Sequence, residues 1–141
     1  MSIIVAYHTR TGHSRKLAKA VAADIGADAL DIRQWSPGLK ADTLLLFGGI
    51  YGGKSDAPML AFARALSPRD VRRAVLMTSC ASGKDRQVGV RDALTGAGVA
   101  VEAEEFVCPG GFLVFRMGRP NARDIREAVD FARRHAVPRK A

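Results

Sequence analysis

The stretch IIVAYHTRTGHS, Ile3–Ser14, decides the fold. Ile3 to Tyr7 are β-branched and apolar and read as a strand. A polar turn follows at once, Thr9-Arg10-Thr11-Gly12-His13-Ser14, and a helical pattern starts directly after it. The hydroxyls of residues 9, 11 and 14 can donate to phosphate oxygens. Gly12 lets the backbone fold closely around an anion. The first amides of the helix have no intrahelical partner and point at whatever sits there. Arg10 adds positive charge. The turn is a cradle for a phosphomonoester, built without the lysine of a nucleotide-triphosphate loop.

Outward from this turn, apolar strands alternate with amphipathic helices. Leu17, Val21 and Ile25 share one face of a helix running from Ser14 to about Ile25, and Gly26 ends it. A strand is expected over Ala27–Ile32. The connection Arg33–Asp42 contains Pro37-Gly38 and is too short for a helix with two turns, so a reduced crossover is expected there. Thr43–Phe47 is a continuous apolar run, a strand buried on both faces, with 48–55 as its loop. Asp56 and Pro58 start the next helix, whose inner face is Met59, Phe62 and Leu66. Ala74–Met77 is a strand opening into a loop over 78–86. A helix over roughly 86–96 follows, and Val99–Val107 reads as a continuous last strand at an edge. An irregular segment begins at Cys108. Asn121 N-caps the final helix with Asp124 as its capping-box partner, and Ile125, Ala128, Val129 and Ala132 form its inner face. Strands alternating with helices imply a parallel α/β sheet with right-handed crossovers.

The chain has 141 residues, 48% of them apolar, which suits one domain over residues 1–141 with a substantial core. No apolar run reaches the roughly 18 residues of a membrane span, and no signal peptide is evident. Two cysteines make no disulfide framework, so a reduced cytoplasmic setting is expected. The formal charge is +8. Its basic residues are scattered, with no aromatics between them, so nucleic-acid binding is not expected. His8 and His13 flank the first turn without a third ligand or a carboxylate in the sequence around them, and no metal site is expected. Trp35 reads as a core or loop anchor, and His135 as a cation in a helix's last turn. Nothing in the sequence sets an oligomeric state or names a catalytic residue.

Three strand-end loops support rival chemistries. Gly48-x4-Gly53-Lys54-Ser55 matches a nucleotide-triphosphate loop by pattern. Pro58 in the helix that follows and the lack of a strand-end aspartate for magnesium count against it. Cys80-x-x-Gly83-x-x-Arg86 has the spacing of a cysteine-dependent phosphatase, with a thiolate nucleophile and an arginine clamp. That chemistry also needs a general acid, and neither Asp56 nor Asp85 stands out as one. A small polarizable residue at a strand end is the plainer account of Cys80 and Cys108.

Thr9-x-Thr11-Gly12-x-Ser14 after a first strand resembles the phosphate loop of flavodoxins, with His13 where asparagine is usual and Ser14 where threonine is usual. Asp42–Lys54 is similar to the family's third strand and second flavin loop. Cys108-x-Gly110, with Gly118-Arg119-Pro120-Asn121 and Asp124, is similar to the end of small members. The resemblance implies a three-layer flavodoxin-like sandwich with a five-stranded parallel sheet in the order 2-1-3-4-5, its crossover between strands 2 and 3 reduced here. It also implies noncovalent FMN. Thr9, Arg10, Thr11, Gly12, His13 and Ser14 would cradle the phosphate. Gly49, Ile50, Tyr51, Gly52 and Gly53 would border the ring, with Tyr51 stacking on it and the glycines permitting a peptide flip. Thr78, Ser79, Cys80, Ala81, Ser82 and Gly83 would approach the ring edge. The implied function is electron transfer, as carrier or small oxidoreductase, with a redox partner protein or a small-molecule acceptor. A phosphatase and an FMN-free protein-binding module are the alternatives. The chain departs from the family's pattern at Gly49, where proline is frequent, in lacking a second aromatic over 78–86, and in its basic charge.

Overall fold

A computed structural model describes residues 2–9, 12–51, 54–80, 86–109 and 121–136. The elements run β1 (Ile3–Tyr7), α1 (His13–Ile25), β2 (Asp28–Asp31), a 3-10 turn (Ile32–Gln34) and β3 (Ala41–Tyr51). They continue with β4 (Lys54–Ser55), α2 (Ala57–Ala65), β5 (Val71–Cys80), α3 (Val88–Gly96), β6 (Ala100–Val101), β7 (Phe106–Pro109) and α4 (Ala122–Ala136). The sheet order is β2-β1-β3-β5, with β6 and β7 both on the outer side of β5. Every pairing is parallel except the β3–β4 hairpin. Counted as five strand positions, this is the expected order 2-1-3-4-5.

Two cores sandwich the sheet. Along β3, Leu45 and Phe47 face one core with Leu17 and Val21 of α1 and Ala128 and Phe131 of α4. Leu44 and Leu46 face the other, with Met59 and Ala63 of α2 and Val90 and Leu94 of α3. Strand side chains alternate between faces, so a run apolar at every position demands cover on both. All four of these β3 residues are fully buried, each contributing about 1.5–3 kcal/mol of burial free energy.

Local signals act as expected at several ends. Gly26 closes α1, with the N–H of Gly26 bonded to Ala22 O. Asn121 Oδ1 accepts Asp124 N–H and Asp124 Oδ2 accepts Asn121 N–H, both at 2.9 Å. The reduced crossover is the single 3-10 turn, capped by Asp31 and Gln34. Trp35 anchors the following segment against Phe62, ring centroids 5.5 Å apart.

Three expected boundaries are corrected. The 48–55 segment is not all loop: β3 runs on through Gly48, Gly49, Ile50 and Tyr51, the first three opposite Thr78, Ser79 and Cys80, and then folds back as β4. Glycines read as loop because their intrinsic strand preference is poor, but pairing with β5 overrides that preference. For the same reason Thr78, Ser79 and Cys80 are strand residues, held between β3 and β7. The last strand is not continuous over 99–107, and Cys108 and Pro109 belong to β7. The Glu102 N–H still bonds Ala74 O of β5 at 2.8 Å, and the chain leaves the sheet beyond it. Glu102 pairs with Arg73 at 3.1 Å, and Glu105 is drawn inward.

Candidate functional site

Adjacent strands β1 and β3 send their helices to opposite faces of the sheet, α1 onto one core and α2 onto the other. Their carboxyl ends therefore frame a crevice, the place where ligands bind open α/β sheets.

On one side of the crevice is the N-terminus of α1. Gly12 takes φ 90°, ψ −7° as the N-cap residue, a left-handed conformation that glycine adopts without steric cost. As a glycine it supplies no side-chain cap of its own, and no acidic residue lies in the first turn. Thr9 Oγ1 accepts Gly12 N–H at 2.8 Å. That bond uses an acceptor position and leaves the Thr9 hydroxyl proton available to donate. Ser14 is buried in the first turn. An open helix start with hydroxyls beside it is suited to an anion by both amide direction and macrodipole.

Across the crevice, His8 follows β1 and Asp56 is the residue just before α2. His8 Nε2 and Asp56 Oδ2 lie 2.9 Å apart, both largely buried. The sequence reading gave His8 no carboxylate. The partner is distant in the chain, and only the β1–β3 pairing brings the two together. No cluster of three metal-ligating side chains forms among the described residues.

The third wall, β5 into α3, is differently built. Glu105 is buried and accepts Gln87 N–H at 2.7 Å and the Thr78 hydroxyl. Gln87 Nε2 donates to Thr78 Oγ1 at 3.1 Å and Met77 O at 3.3 Å. Arg91 approaches Glu105 at 3.5 Å. Thr78 thus points its hydroxyl into the protein, and a carboxylate occupies the start of α3. An anion there would meet that negative charge, which counts against a phosphatase loop over 80–86. This network was not read from the sequence. One of three glutamates within 102–105 gives no signal of burial, and its partners are 18 and 27 residues away.

Of the residues singled out in the sequence, Thr9, Gly12 and Ser14 come together at α1. Gly49 and Ile50 lie at the end of β3, beside Ser79 of β5 and next to Thr78. Arg10, Thr11, Gly52, Gly53, Ala81, Ser82 and Gly83 lie outside the described residues, as do the side chains of His13, Tyr51 and Cys80. Among the described residues no helix is long and apolar enough to cross a membrane.

No protein-family model and no curated protein sequence matches the chain. Solved structures do match in shape. A short-chain flavodoxin associated with a bacterial microcompartment superposes with a TM-score of 0.69 at 19% identity, over 94% of this chain and 95% of that one. Oxidised flavodoxin 2 from Bacillus cereus gives 0.68 at 13%, over 96% and 98%. The Fusobacterium nucleatum flavodoxin bound to flavin mononucleotide gives 0.61 at 11%, over 95% and 98%. Near-complete coverage in both directions, together with the strand order and the two-sided helix cover, identifies the fold of this chain as that of the flavodoxins.

Proposed function

We propose that this protein binds FMN noncovalently and transfers electrons to a redox partner protein or a small-molecule acceptor, as a carrier or a small oxidoreductase of the cytoplasm. One observation carries the reading: the acid-free start of α1 opens onto the β1–β3 crevice, with β3 ending at Tyr51 on its other side. The fold shared with an FMN-bound flavodoxin supports it. Thr9, Gly12 and Ser14, with Arg10, Thr11 and His13, are the phosphate residues of this proposal. The Gly49–Gly53 segment and residues 79–83 are its ring residues. Thr78 contributes by holding the end of β5, since its hydroxyl is committed to Glu105. Bound FMN supplies one- and two-electron chemistry; the chain binds it, orients it and limits its exposure to water.

The absorption spectrum of the purified protein, with identification of any released cofactor, tests this. Flavin bands, or their appearance after FMN is added to the apoprotein, are expected. A colourless protein that takes up no FMN overturns it and favours a protein-binding module. Hydrolysis of p-nitrophenyl phosphate that disappears in Cys80→Ser would favour the phosphatase.

A further inference from the structure

A cavity of about 670 Å³ opens beside the α1 N-terminus on the β2 side, away from β3. Tyr7 lines it from β1, Thr9 and Gly12 from the connection to α1, Arg15 from α1, Asp31 from the end of β2 and Arg33 from the 3-10 turn. Its volume is in the range of small-molecule sites, roughly 300–1,000 Å³. The FMN reading uses Gly12 and the helix start but assigns nothing to Arg15, Asp31 or Arg33.

Asp31 is a preorganised acceptor. Its Oδ1 takes Arg33 N–H at 2.9 Å and Arg33 Nε at 3.1 Å, and its Oδ2 takes an Arg33 Nη at 2.9 Å. These bonds hold the carboxyl below its ordinary pKa and keep it ionised at neutral pH. An ionised carboxylate has about four acceptor positions, so among the described residues one position on Oδ2 stays open. Arg33 in turn keeps further guanidinium N–H groups beyond the two that Asp31 uses, and its side chain is 82% exposed. The cavity therefore presents one acceptor between two arginines, next to an open helix start. A bare polyanion would be repelled by Asp31, and a neutral sugar would leave the arginines unused. A ribose phosphate satisfies both. In dinucleotide-binding doubly wound sheets an acid about 20 residues after the first glycine turn takes a ribose hydroxyl, or an arginine nearby takes a ribose phosphate. Asp31 and Arg33 stand in that relation to Gly12.

We infer that this cavity is a subsite for a ribonucleoside monophosphate group, with Asp31 accepting from the ribose and Arg15 and Arg33 neutralising phosphate. Three sources share this chemistry: the nucleotide half of FAD with its flavin phosphate in the cradle, a nicotinamide dinucleotide, or free AMP. The FAD source rests on the flavin reading, and the other two do not.

Titration of the apoprotein with FMN, FAD, NADPH and AMP, in the wild type and in Asp31→Asn and Arg33→Gln, separates these cases. Where the nucleotide half of FAD is the occupant, FAD binds at least about tenfold tighter than FMN, roughly the value of one charge-assisted hydrogen bond. Both substitutions should abolish that advantage and leave FMN affinity unchanged. NADPH or AMP binding that the same substitutions weaken, without an FAD advantage, supports the subsite and identifies a free nucleotide as its ligand. Nucleotide binding without any flavin binding would sink the flavin reading while leaving the subsite standing. Equal affinity for FMN and FAD with no binding of NADPH or AMP overturns the subsite, and so does an FAD preference that survives both substitutions.

Discussion

Glu105 accepts the backbone N–H of Gln87 at 2.7 Å, so the start of α3 is closed by a carboxylate of the same chain. The corresponding N–H of α1, that of Gly12, is bonded instead to the neutral hydroxyl of Thr9, and among the described residues no carboxylate lies in the first turn. Two helix N-termini at one sheet edge are thereby made unequal, and the first is the one suited to an anion.

Glu105→Ala should destabilise the protein by about 2–4 kcal/mol. It strips the acceptor from the buried Gln87 N–H and from the Thr78 hydroxyl, and each stranded group costs about 1–3 kcal/mol. Urea unfolding measures it. A loss under about 0.5 kcal/mol, as at a surface site, would show that water replaces the carboxylate there.

Gly48→Ala should cost about 1–3 kcal/mol by overpacking. A Cβ on Gly48 would lie 2.5 Å from Gln87 Oε1 and 3.0 Å from Met59 Cε. Gln87 is fully buried and tied to Met77 and Thr78, so it has little room to yield. Gln87→Ala should relieve the clash, and in the double variant the penalty of Gly48→Ala should shrink. Strict additivity of the two substitutions would contradict the contact.

Gly12→Val should weaken FMN binding by about tenfold or more, read by fluorescence titration. The side chain faces a φ of 90°, a conformation costing a non-glycine residue roughly 1–2 kcal/mol, and relaxation of that strain moves the amides aimed at the phosphate. Thr9→Val removes the acceptor of Gly12 N–H and should act in the same direction. Riboflavin, which lacks the phosphate, should lose far less affinity in both variants. Equal losses for FMN and riboflavin would place the phosphate elsewhere.

The Asp31–Arg33 pair should give a pH-dependent share of stability. Hydrogen bonding to Arg33 holds the Asp31 carboxyl below its ordinary value of 3.8. A depressed folded-state value means stability that is present above the unfolded value and lost as pH falls through the folded one. Asp31→Asn should therefore be less stable than wild type at neutral pH, with the gap closing below about pH 4. The effect is small because Arg33 is exposed to solvent. Denaturation midpoints across pH give the comparison, and a gap that widens in acid would refute the assignment.

The amino-acid sequence by itself determined the elements and their sequence order. Leu44–Phe47 demand cover on both faces, Leu17, Val21 and Ile25 lie along one stripe, and Gly26 and the Asn121–Asp124 box mark helix ends. These signals are local: each depends on residues within about one helical turn or one strand. The start of α1 at Gly12 was legible for the same reason, since strand, glycine and helix start are contiguous. Only the tertiary structure decided the pairings made across the chain. It extended β3 through Gly48 and Gly49, brought Asp56 to His8, and drew Glu105 to Thr78 and Gln87. It also set Asp31 and Arg33 around one cavity with Gly12 and Arg15. A glycine, a histidine or a glutamate has no periodicity of its own, and its partner is chosen by which strands lie side by side. That choice is settled by burying both faces of the sheet, a property of the whole chain that no short stretch contains.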